Sequence, residues 1–188
     1  MADMFQPLNI MLAGFGGQGI LFAGKLVAYA GLIDGHEVSW LPSYGPEMRG
    51  GTANCSVCLS DDPIGSPLIT EPGALVAMNV PSFDKFIDSV VPGGVVVVDK
   101  TMANVCPMRE DLRFCAVPAT QLAEDNGLSG LANVILVGKL LQMTGFSTQG
   151  SLNSAIEKSV SAKHLDLLEH NKKALALGMA FLPEQDCR

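Results

Sequence analysis

The chain has 188 residues, 48% of them apolar and 16% charged, with a net charge of −7 at neutral pH. That balance excludes a disordered chain, and one core-forming domain over residues 1–188 accounts for the length. Binding to a phosphate backbone needs clustered Lys and Arg, and no such run exists among the 12 basic residues, so nucleic-acid recognition is excluded too.

Leu8 to Ala13 is a short apolar run ending in glycines and reads as a buried strand. Ile20 to Ala30 carries apolar residues at helical spacing, with Gly31 as its C-terminal stop. Glu37 to Leu41 is a second strand, and Pro42 to Gly51 is a loop rich in Gly and Pro. Thr52 to Leu59 alternates as a third strand, and Ala74 to Asn79 forms a fourth. Pro81 opens a helical segment from Ser82 to Val90. Val95 to Asp99 reads as a strand buried on both faces, and Leu112 to Val117 as a further strand. Helices come next at Leu131 to Met143, Leu152 to Val160 and Lys163 to Ala180. This alternation implies a three-layer α/β/α, Rossmann-like fold around a largely parallel sheet.

Met1 to Pro7 lacks a basic segment followed by an apolar run, and stretches such as Val95 to Val98 are only strand length. The expectation is a cytoplasmic chain with no membrane partner, whose five cysteines are free thiols. Cys55 and Cys58 fall on a strand, where residues three apart face opposite sides, so buried apolar thiols are expected rather than a metal pair. Cys106, Cys115 and Cys187 complete no iron–sulfur spacing. His36, His164 and His170 are scattered, and Met78, Met143 and Met179 fit apolar faces. Asp99, at a strand end, is placed either as a site carboxylate or as a cap for the segment after it.

Two loops concentrate the chemistry. Gly14, Phe15, Gly16, Gly17, Gln18 and Gly19 fit G-x-G-x-x-G between a strand and a helix, where backbone N–H groups face an anion. The plain alternative is a tight turn and nothing more. A dinucleotide oxidoreductase acting alone wants an acidic residue at the end of the second strand, and that end reads Trp40-Leu41-Pro42-Ser43. Lys25 lies too far along for a Walker A loop. The second loop, Ser43 to Thr52, holds Tyr44, Gly45, Glu47, Arg49, Gly50 and Gly51. Arg49 offers a planar fork for phosphate or carboxylate, although a solvated Glu47–Arg49 pair explains the same residues.

Together, G-F-G-G-Q-G and S-Y-G-P-E-M-R-G-G-T resemble the signature of the gamma subunit, or gamma domain, of 2-oxoacid:ferredoxin oxidoreductases. Asp62-Pro63-Ile64, Ala74 to Ser82, Pro92-Gly93-Gly94, Asn133 to Gly138 and Asn171 to Gly178 extend the resemblance along most of the chain, while Met48 departs from the basic or polar residue common there. The resemblance implies a heterotetrameric enzyme that turns a 2-oxoacid and coenzyme A into acyl-CoA and carbon dioxide and reduces ferredoxin. It places thiamine diphosphate, magnesium and iron–sulfur clusters in alpha, beta and delta partners and leaves this chain without a cofactor or catalytic residue of its own. It favours 2-oxoglutarate as substrate, with indolepyruvate, pyruvate and branched-chain oxoacids as the other choices. It also casts Gly14, Gly16, Gly17, Gln18, Gly19, Tyr44, Gly45, Glu47, Arg49, Gly50 and Gly51 as the residues lying against coenzyme A or a partner. A small homodimeric protein is the remaining competitor, and the low charge leaves self-association of the isolated chain open.

Overall fold

The computed structural model describes residues 6–43, 52–160 and 165–183. Its strands are β1 (Leu8–Phe15), β2 (Glu37–Ser43), β3 (Thr52–Ser60), β4 (Ala74–Ala77), β5 (Val95–Asp99) and β6 (Arg113–Val117). Its helices are α1 (Ile20–Asp34), α2 (Val80–Phe86), α3 (Ala119–Asp125), α4 (Ala132–Thr144), α5 (Gln149–Ser159) and α6 (Leu165–Ala180). The strands form one six-stranded sheet in the order β2-β3-β1-β4-β5-β6.

The sheet is mixed but mostly parallel. β1 pairs with β4, β4 with β5 and β5 with β6 in parallel, whereas β3 runs antiparallel to both β1 and β2. Only eight residues separate β2 from β3, fewer than a parallel crossover needs, so the chain reverses there. Because β2 is reversed twice relative to β1, it points the same way as β1. Every strand except β3 therefore ends on one rim.

One face of the sheet packs Ile10, Leu12, Val57, Val76 and Val97 against apolar residues of α1, α3, α4, α5 and α6. The opposite face packs Met11, Leu75, Val96 and Val98 against Phe83, Ile87 and Val90. The outer layers are thus unequal, and the second is carried by α2 and the 3-10 turn Ile87–Ser89. Met78 is buried, and Met143 and Met179 pack against the core, as apolar-face methionines should.

Glycines set the closest approaches. A Cβ on Gly138 of α4 would lie 2.2 Å from the Leu175 carbonyl oxygen, and one on Gly178 of α6 would lie 1.8 Å from that of Ile135. The two helices therefore touch backbone to backbone at these glycines. Gly31 does not stop α1. The helix continues to Asp34 and ends at Gly35 with φ 89°. At Gly31 the missing side chain instead admits Leu59, which would stand 2.5 Å from a Cβ.

Candidate functional site

The register of the sheet assembles the rim. Gly14 lies opposite Ala53 and Phe15 opposite Thr52 across β1 and β3, while Ser43 lies opposite Asn54 across β2 and β3. The glycine turn and both ends of the second loop are therefore neighbours on one edge of the sheet. Tyr44, Gly45, Glu47, Arg49, Gly50 and Gly51 lie outside the described residues, and Ser43, on their near side, is exposed. β2 runs on to Ser43, two residues beyond its expected end, and carries no carboxylate there.

β1 takes in Gly14 and Phe15, so the turn proper is Gly16 to Gly19. Gly17 and Gly19 have φ of 95° and 74°, a region that side chains disfavour. Gly16 and Gly17 are exposed, and nothing lies within 4 Å of a Cβ placed on Gly17. Gly14 differs. It is buried, and a Cβ there would meet Gln18 Oε1 at 2.8 Å and Ile20 at 2.9 Å.

Gln18 folds back into the protein. Its Oε1 accepts from the Phe15 N–H at 2.6 Å and from Asn79 Nδ2 at 3.1 Å. Its Nε2 donates to the Met78 carbonyl at 3.2 Å. Asn79 Oδ1 in turn accepts from the Ser82 N–H at 2.8 Å and caps α2. One carboxamide thus ties the turn after β1 to the end of β4. That is the crevice where an open α/β sheet admits a dinucleotide pyrophosphate. Here the Gln18 carboxamide bridges its two sides, and Gly16 and Gly17 are exposed beside it.

Gly19 is the N-cap residue of α1 and supplies no side-chain cap. The first N–H groups of that helix are left free of intrahelical partners. Asn133 of α4 donates from Nδ2 to the Gly19 carbonyl at 2.9 Å and holds the helix start from behind. The same Nδ2 would stand 2.5 Å from a Cβ on Gly19. Two clefts flank the turn. One, of about 260 Å³, is lined by Phe15, Gly16, Gly17, Leu21, Phe22 and Ala53. The other, of about 250 Å³, runs from Gly17 and Gln18 past Met78 and Met102 to Thr120 and Glu124.

Asp99 acts as a cap. It is fully buried at the end of β5, accepts from Thr120 Oγ1 at 2.5 Å, and accepts from the Thr101 and Thr120 N–H groups at 3.1 and 3.3 Å. It thereby fixes the start of α3, a helix that the periodicity did not reveal. Cys55, Cys58 and Cys115 are free and buried. Burial pushes the Cys55 thiol up to about 12, against lesser opposing hydrogen bonds from Trp40 and the Gly24 backbone. Burial also raises Cys58 and Cys115. Cys106 departs from the expectation of free thiols. It lies exposed in the β5–β6 connection rather than in the core, and it is disulfide-bonded. His36 Nδ1 lies 2.7 Å from Asp61 Oδ1, away from the rim, and His164 lies outside the described residues. Among the described residues no His, Cys, Asp and Glu cluster could hold a metal, and no helix is long and apolar enough to cross a membrane.

The chain is similar in sequence and fold to known proteins. The family model for pyruvate ferredoxin/flavodoxin oxidoreductases matches residues 9–181. A ketoisovalerate oxidoreductase subunit VorA of Methanothermobacter marburgensis is 38% identical over 176 residues, 93% of this chain and 36% of that one. The chain therefore spans little more than a third of that relative. A 2-oxoglutarate synthase subunit KorC of Methanocaldococcus jannaschii is 38% identical over 155 residues, 81% of this chain and 83% of the relative. The crystal structure of a keto/oxoacid ferredoxin oxidoreductase gamma subunit from Geobacter sulfurreducens PCA superposes with a TM-score of 0.77 at 28% identity, covering 91% of this chain and 95% of that one. The chain belongs to the pyruvate ferredoxin/flavodoxin oxidoreductase family.

Proposed function

We propose that this chain is the gamma subunit of a multi-subunit, cytoplasmic 2-oxoacid:ferredoxin oxidoreductase. The reaction joins a 2-oxoacid and coenzyme A as acyl-CoA and carbon dioxide and passes two electrons to ferredoxin. Thiamine diphosphate, magnesium and iron–sulfur clusters reside in the alpha, beta and delta companions. This chain presents its carboxyl rim to them. The register that sets Phe15 beside Thr52 carries the reading, because it brings the two signature segments to one edge.

At that edge, the exposed backbone of Gly16 and Gly17, the free start of α1 and the Arg49 guanidinium contact an anionic group. A coenzyme A phosphate is the first candidate and a companion carboxylate the second. Gly17 suits the role, since it leaves open space where a side chain would stand. The preferred substrate is 2-oxoglutarate. The KorC relative is matched over 83% of its length at 38% identity, whereas the VorA relative is matched over 36% of its length and an indolepyruvate oxidoreductase subunit IorB, matched over 96%, is 30% identical. A dinucleotide enzyme acting alone is disfavoured, because β2 ends Trp40-Leu41-Pro42-Ser43 with no carboxylate to hold a ribose.

The experiment is Arg49→Ala in the enzyme assembled with its companions. The Michaelis constant for coenzyme A should rise roughly tenfold, as loss of a charge-assisted contact does. An unchanged constant together with unchanged assembly overturns the role of Arg49.

A further inference from the structure

The outer face of α1 is not built for water. The helix reads ILFAGKLVAYAGLID, and its only charged residues are Lys25 and Asp34. Ile20, Ala23, Leu26, Val27 and Ala30 face the core. Leu21, Phe22, Lys25, Tyr29, Leu32 and Ile33 are the remaining large residues. At helical spacing they fall in one continuous stripe covering roughly a third of the circumference. Leu32 is 54% exposed and Ile33 36% exposed, while the others are half-buried. Trp40 of β2, 39% exposed, flanks the stripe beside Gly24.

Other outer helices behave as solvated helices should. α6 turns Asp166, Glu169 and Lys173 outward, and α2 turns Asp84 and Lys85 outward. A helix that is apolar all round is normally covered on all sides. α1 is apolar nearly all round, yet among the described residues nothing covers Leu32 and Ile33, and Leu21, Phe22 and Tyr29 are only partly covered.

We infer that this stripe is the docking face for a companion polypeptide of the oxidoreductase, and that the occupant is an apolar protein surface carrying a carboxylate opposite Lys25. The inference rests on the subunit reading above. Three observations choose this occupant. The stripe is continuous with the rim, since Leu21 and Phe22 line the same cleft as Gly16, Gly17 and Ala53. The VorA relative carries the matched region within a chain nearly three times as long, so in that protein further polypeptide adjoins it. The charge pattern also disfavours a second copy. Lys25 is the only ionised group in the stripe, its Nζ sits 5.2 Å from the Tyr29 ring centroid, and it makes no ion pair among the described residues. Asp34 is turned away and accepts from Ser147 and Ser151 at the start of α5. Two copies meeting through this face would bury two ammonium groups with no carboxylate from either stripe, which is costly.

The test uses the full chain co-expressed with the thiamine-binding and iron–sulfur subunits of its own organism. Leu32→Glu/Ile33→Glu should weaken assembly by roughly 30-fold, as central interface residues do, while the isolated variant keeps the wild-type circular dichroism and melting profile. Lys25→Glu should weaken assembly as well, and Leu167→Glu on α6 should assemble like wild type. Undiminished assembly of the double variant overturns the docking face and leaves the subunit reading standing. So does a wild-type homodimer that the double variant splits without loss of assembly with companions. Failure of the wild-type chain to assemble with any companion overturns the subunit reading and this inference together.

Discussion

Asn79 Nδ2 donates to Gln18 Oε1 at 3.1 Å, and through that bond the end of β4 holds the turn after β1. The contact joins residues 61 apart in sequence and links the ends of two parallel strands. It explains how a dinucleotide-type glycine spacing serves a chain with no carboxylate at the end of β2. Gln18 holds the turn in place, and Gly16 and Gly17 present it.

Gln18→Ala removes an acceptor of two hydrogen bonds and a donor of one in a half-buried site. Stability to urea should fall by about 2 kcal/mol, within the usual cost of stranding partly buried partners. Gln18→Glu keeps the acceptor but cannot donate to the Met78 carbonyl, and should show an intermediate loss. Neither variant should acquire saturable NAD binding, as titration calorimetry can establish.

Gly138→Ala and Gly178→Ala should be among the most damaging small substitutions in the chain. Each added methyl meets a backbone carbonyl at 2.2 or 1.8 Å, and neither helix can yield without separating from the other. A loss of about 3 kcal/mol or more is expected from thermal unfolding, at the upper end of overpacking costs. Gly150→Ala, where a Cβ would meet nothing closer than Thr148 Oγ1 at 3.6 Å, is the control and should be near neutral.

Asp99→Ala leaves the Thr120 hydroxyl and two backbone N–H groups without their acceptor at a fully buried position. The expected cost is about 3 kcal/mol by denaturant titration, with Asp99→Asn milder because it still accepts. Amide exchange should quicken first in Ala119–Asp125, the helix that Asp99 caps.

Buried thiols give stability a sign at high pH. Cys55 is pushed from 9.0 up to about 12 by burial, and burial raises Cys58 and Cys115 as well. Between these values the unfolded chain has released protons that the folded chain retains, so stability falls as pH rises. The contribution is whole below pH 9 and is lost progressively toward about pH 12. Denaturation midpoints at pH 8, 9 and 10 should therefore decline in that order, and Cys55→Ala should flatten the decline. At pH 8 the native chain should leave Cys55, Cys58 and Cys115 unreacted with an aromatic disulfide reagent.

Much of the fold was legible because apolar runs and punctuation agree. Val95 to Asp99, bounded by Pro92-Gly93-Gly94, is a strand with the same ends in sequence and structure. Errors arose where a local signal had a tertiary purpose. Gly31 reads as a stop, yet it is the notch that admits Leu59. α3 is seven residues long, too short to show a period, and its start depends on Asp99 about 20 residues earlier. The reversal of β3 was readable from the short span, rich in Gly and Pro, between the second and third strands. For the site, the glycine spacing marked the right turn but could not show that Gln18 folds inward, because its partners Met78 and Asn79 lie about 60 residues away. The disulfide at Cys106 had no local signal either.

The most direct measurement is an electron cryomicroscopy structure of the enzyme assembled with its companions and coenzyme A. The rim formed by Gly16, Gly17 and Ser43 should lie against a companion subunit, with the second loop directed at its thiamine and coenzyme A centre. An assembled enzyme in which that rim faces open solvent, and this chain meets its companions through another surface, would contradict the proposal.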